Sequence, residues 1–110
     1  MKLNRMIILA GAIALLSCSS QAADVLANWT QHCASCHGKD GKGDTKAGKK
    51  AGVKDFCDAK YQESMTDDKM HKQIKEGMME KGKERMKPYG DKLKDDEIKA
   101  LIGYIRAMKK

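Results

Sequence analysis

The chain has 110 residues, with 22 Lys and Arg against 15 Asp and Glu, a formal net charge of +7, 5% aromatic residues and four cysteines. That length bounds it to a single domain, and the scarcity of aromatics leaves no stacking platform for nucleic acid, so no nucleic-acid partner is expected. Trp29, Phe56, Tyr61, Tyr89 and Tyr104 are the whole aromatic inventory, and a domain this small seldom builds enough core without a staple.

Residues 1–22 read as an export signal. Lys2 and Arg5 make a positive start, Met6 to Leu16 is apolar to small, and Ser20-Gln21-Ala22 offers a small-x-small cleavage site. The apolar run is too short to span a bilayer as a helix. Cleavage leaves a domain over 23–110 of about 88 residues. It also leaves 20 Lys and Arg against 15 acids, near +5, a balance that steers association toward acidic partners. Leu15-Leu16-Ser17-Cys18 resembles a lipobox, so the alternative is a lipoprotein tethered to the membrane through Cys18.

A first helix is expected over Ala23 to Ser35, with Val25, Leu26, Trp29 and Cys33 on one side. It carries Cys33-Ala34-Ser35-Cys36-His37 at its end. Two thiols three positions apart can each add across one vinyl group of a single porphyrin, and the adjoining histidine can bind the iron. Cys-x-x-Cys-His is the signature of covalent haem attachment, and His is a common axial ligand. With Cys33 and Cys36 committed, Cys57 has no partner and reads as a small packing residue.

A glycine-rich loop follows from Gly38 to Gly52, broken too often for regular structure. Lys39, Lys42, Lys46, Lys49, Lys50 and Lys54 make it either solvated surface or a positive docking rim. Thr66 with Asp67 and Asp68 starts a middle helix that Gly77 stops, and Met70, Ile74 and Met78 form its apolar stripe. Met78 to Pro88 is expected to be irregular. The last helix is expected over Asp95 to Lys109, burying Ile98, Leu101, Ile102, Ile105 and Met108. No segment alternates like a strand, so the fold class is all-α.

Over nearly its whole mature length the chain resembles the class I c-type cytochromes. Trp29 matches the family's first-helix aromatic, and Leu101-Ile102-Gly103-Tyr104-Ile105 the last helix that crosses it. Met86-Lys87-Pro88-Tyr89-Gly90 matches the loop bearing the second axial ligand. The resemblance implies a cytochrome c fold of helices around one haem c, with thioethers at Cys33 and Cys36, His37 as proximal ligand and Met86 as distal ligand. Met78 and Met79 are the competitors; Met86 is preferred because it stands two residues before the only proline. His32 and His71 read as surface histidines. Where relatives carry a proline whose carbonyl holds the proximal histidine, Ala51-Gly52-Val53-Lys54 has none, yet some carbonyl is expected to make that bond.

These readings converge on a periplasmic, monomeric electron carrier that is not an enzyme, exchanging electrons with redox proteins whose docking surfaces are acidic. One alternative is a small haem enzyme or gas-binding protein with an open distal iron position, assisted by His71 or Lys87. The other is haem-free: a redox dithiol, or a zinc site from Cys33, Cys36, Cys57 and His71.

Overall fold

The computed structural model describes residues 24–110. The expected leader and Cys18 lie outside the described residues. Helix α1 covers 24–37 and widens at Trp29–Cys33 into a π-turn, where the Ala34 N–H bonds the Trp29 carbonyl. It runs two residues past the expected end, so His37 is its last helical residue, and Gly38 at φ 83 closes it. Such π-turns are rare and often stand at functional sites.

One short helix breaks the stretch that reads as loop, and a second follows it. Helix α2 is Lys46–Ala51 and α3 is Ala59–Ser64. Neither carries a long apolar stripe; each is set by its cap. Thr45 accepts from the Gly48 N–H and donates to the Cys36 carbonyl, both at 2.8 Å, so the cap of α2 also ties it to α1. Asp58 accepts from the Lys60 N–H at 2.9 Å. Caps of this kind contribute about 1 kcal/mol each.

Helix α4 is Asp67–Glu76, capped by Thr66 and stopped at Gly77, as the sequence predicts. Helix α5 is Asp95–Arg106 and ends three residues before the expected Lys109. The Lys94 N–H donates to Glu97 at 2.8 Å, and Asn28 of α1 donates to the same carboxylate at 3.1 Å. One acidic side chain therefore fixes both the start of α5 and its approach to α1.

The segment expected to be irregular is instead partly a hairpin. Strand β1 (Met78–Glu80) pairs antiparallel with β2 (Lys83–Met86). The two linking residues, Lys81 at φ 52 and Gly82 at φ 77, both take the left-handed conformation, which is what a type I′ hairpin turn demands. The strands are too short to show alternation, and the class remains all-α.

The core lies where α5 crosses α1. Leu101, Ile98, Ile102 and Ile105 bury one face of α5 against Trp29, Phe56, Met70, Ile74 and Leu93. The Trp29 and Tyr104 rings stand 5.3 Å apart, the crossing that the family resemblance implies. Met108 also packs on this core, from beyond the end of α5. A polar staple crosses beneath. Arg106 donates to the Gln62 carbonyl (2.6 Å), the Gln62 side chain (3.0 Å) and the Met65 carbonyl (2.5 Å). The buried Gln62 amide donates in turn to the Phe56 and Ile105 carbonyls. Every donor in that staple has an acceptor, so its burial is not penalised.

The end of α4 holds the segment after the hairpin. The Tyr89 N–H bonds the Ile74 carbonyl at 2.9 Å, and the Gly90 N–H bonds that of Lys75 at 3.0 Å. Carbonyls that a helix terminus leaves free thus anchor residues 89–90. The fit is close at Gly77. With φ 76, a Cβ there would lie 2.5 Å from the Met86 carbonyl oxygen and 2.9 Å from the Pro88 nitrogen. Gly82 shares the positive φ but faces open space. Gly77→Ala is expected to destabilise the haem-loaded protein by more than about 1 kcal/mol, and by more than Gly82→Ala does, in denaturant unfolding. Equal costs would mean that conformation alone, and not the approach of residues 86–88, requires glycine at 77.

Candidate haem site

Between α1, the hairpin and the core lies a cavity of about 690 Å³, within the range of about 300–1,000 Å³ usual for cofactor pockets. Cys33, Cys36 and His37 line one side, Met78 and Met86 another, and Trp29, Phe56, Ile74, Leu101 and Ile105 close it from the core. All four residues singled out in the sequence therefore meet at one cavity.

Cys33 and Cys36 are half-buried and not disulfide-bonded. Burial first, and the neighbouring Cys36 second, push the Cys33 thiol up to about 12. A redox dithiol needs an easily formed thiolate, so this environment opposes the thioredoxin-like reading. The sheet does too: among the described residues it has two antiparallel strands and no βαβ unit.

His37 is built to stay neutral. Burial lowers its imidazole to about 4, leaving it uncharged near pH 7, the form that binds metal. Its ring stacks on Phe56 at 4.7 Å and lies 5.9 Å from Trp29. The Trp29 indole N–H donates to the Gly38 carbonyl at 3.1 Å and so fixes the turn that follows His37. Among the described residues, Nδ1 of His37 is the buried side-chain nitrogen or oxygen with no hydrogen-bond partner. The carbonyl bond expected for this ring is therefore not made; the Val53 and Lys54 carbonyls lie against Gly43. A neutral imidazole held by stacking, beside two free thiols and a cofactor-sized cavity, fits a covalently attached haem.

Among the methionines, the structure sets Met79 apart, while Met65, Met70, Met78 and Met86 all line the cavity. Met79 is 65% exposed and points away from the core. Met86 and Met78 are both half-buried and both line the cavity. Their pairing could have been anticipated only by reading Lys81-Gly82 as a two-residue turn. Sequence reasoning also missed Tyr89, whose hydroxyl donates to the His32 carbonyl at 3.0 Å and ties the methionine segment to α1. His32 is half-buried against that ring, at 5.4 Å, rather than free on the surface.

His71 lies elsewhere, bonded to Asp95 at 2.5 Å across α4 and α5. Cys57 is half-buried, with its sulfur 3.5 Å from the Asp40 carbonyl. Among the described residues no three of His, Cys, Asp and Glu gather to hold a metal ion, so the zinc set is not assembled. The six loop lysines are exposed. Lys50, Lys54 and Lys87 border the cavity, together with Glu80 and Glu84, so its mouth carries both signs.

Residues 20–105 match the family model described as cytochrome C oxidase, cbb3-type, subunit III, a c-type cytochrome domain. The solved structure of the KustC0563 c-type cytochrome is similar, with a TM-score of 0.72 and 38% identity over 79% of this chain and 99% of that one. A point mutant of Kustc0563 gives 0.69 and 37% over 78% and 99%. No curated protein matches. Among the described residues no helix is long and apolar enough to cross a membrane. With the attachment motif, the helix crossing and the matched length in agreement, the chain belongs to the class I c-type cytochromes, haem-based electron carriers.

Proposed function

We propose that this chain is a periplasmic carrier of single electrons, built on one haem c linked through Cys33 and Cys36 and ligated by His37 and Met86. The observation that carries this reading is the convergence of His37, from the end of α1, and Met86, from the end of β2, on one cavity bordered by both thiols. When bound, haem supplies an iron that gains or loses one electron.

The protein supplies the rest. Phe56 and Trp29 hold the neutral His37 ring in place. The hairpin and the anchor of residues 89–90 on α4 deliver Met86. A thioether is soft and uncharged, and pairing it with imidazole raises the potential relative to two nitrogen ligands. With His37 and Met86 both holding the iron, no position would be left for dioxygen or peroxide, which favours electron transfer over oxygen chemistry. Trp29, Phe56, Ile74, Leu101 and Ile105 make the inner side of the site apolar.

Export is supported by Lys2, Arg5 and the apolar run up to Leu16. The same leader leaves the tethered form, through Cys18, as the alternative location. Exposed lysines around the glycine loop support docking to an acidic redox partner, although Glu80 and Glu84 at the mouth limit the uniformity of that rim.

Oxidised and reduced optical spectra, with and without carbon monoxide, test the assignment. Low-spin bands, a weak near-infrared methionine-to-iron band and no response to carbon monoxide are expected. A high-spin spectrum that shifts promptly with carbon monoxide would favour the small haem enzyme or gas-binding protein. Reduction by an acidic partner protein should slow as ionic strength rises; a salt-independent rate would reduce the loop lysines to solvated surface.

A further inference from the structure

Two methionines face the cavity from the hairpin, and the register explains why. Met78 pairs with Met86, and Met79 with Glu84. One step along β1 thus spans two along β2, leaving Arg85 as the extra, unpaired residue of a bulge. In an unbroken ladder Arg85 would stand opposite Met78. The bulge puts Met86 there instead, and directly opposed residues share one face of a sheet, with Cβ atoms about 4.5–5.5 Å apart.

Burial agrees with the register. Met78 and Met86 are half-buried at the cavity, whereas Met79, the next residue along β1, is 65% exposed. Alternation along the strand sends Met79 outward and Met78 inward. Met78 is also fixed at its base: it follows Gly77, whose backbone abuts residues 86–88. It therefore presents the same donor atom as Met86, from the opposite strand of one turn.

We propose that Met78 is a reserve axial ligand, its thioether able to take the iron position that Met86 fills. The proposal rests on the His37/Met86 reading of the site. It requires no new fold and no new donor chemistry. A thioether is neutral and soft whichever strand it comes from, so the exchange brings no charge into the cavity.

The test is a set of three haem-loaded variants, Met86→Ala, Met78→Ala and the double variant, read by the near-infrared methionine-to-iron band and by carbon monoxide binding. The expected result is that each single variant keeps the band and stays closed, while the double variant loses the band and binds carbon monoxide. Loss of the band in Met86→Ala, whether the iron becomes open or low-spin through a nitrogen ligand, would overturn the reserve role and leave Met86 as sole distal ligand. Loss in Met78→Ala alone would overturn both the reserve role and the Met86 assignment. A double variant that keeps the band would overturn the proposal by showing a third methionine on the iron.

Discussion

The rest of the structure depends on one constraint: the core of this chain leaves one apolar wall open beside the attachment motif. The nine buried hydrophobic residues among those described gather where α5 crosses α1. Beyond them the walls turn around a cavity instead of filling it. The apolar wall that Trp29, Phe56, Ile74, Leu101 and Ile105 present to this cavity would be covered by a haem lying against it. The cavity is therefore part of the core, and the residues at its edge are placed by the same contacts that hold the helices.

That coupling explains how distant segments deliver side chains to one place. The Trp29 indole packs on Tyr104 while its N–H holds the turn after His37, so the principal core residue also sets the attachment motif. Thr45 caps α2 and holds the Cys36 carbonyl. On the far side, the free carbonyls of α4 hold residues 89–90, and Tyr89 reaches back to α1 through the His32 carbonyl. Each wall of the site is thus fastened to the other across the cavity.

Much of this is readable in the sequence because its signals are local. The attachment pentapeptide, the Thr66 cap, the Gly77 stop and the apolar face of α5 each depend on neighbours within a few residues. The short helices α2 and α3 were hidden because caps set them; the lysines and glycine of α2 read as loop, and the six residues of α3 are too few to show a stripe. The hairpin was hidden because three- and four-residue strands show no alternation, and only Lys81-Gly82 marks the turn. The bulge at Arg85, which sets Met86 opposite Met78, depends on pairing across strands that no local pattern reveals. The absent acceptor for His37 is likewise a fact of packing.

The most direct measurement compares denaturant unfolding of the haem-loaded protein with that of the chain carrying Cys33→Ala and Cys36→Ala and freed of haem. If the cavity is the unfinished half of the core, the haem-free chain loses its cooperative transition and its near-ultraviolet aromatic signal. A haem-free chain that unfolds cooperatively at the same midpoint would contradict the account, because the protein would then be closing its own core.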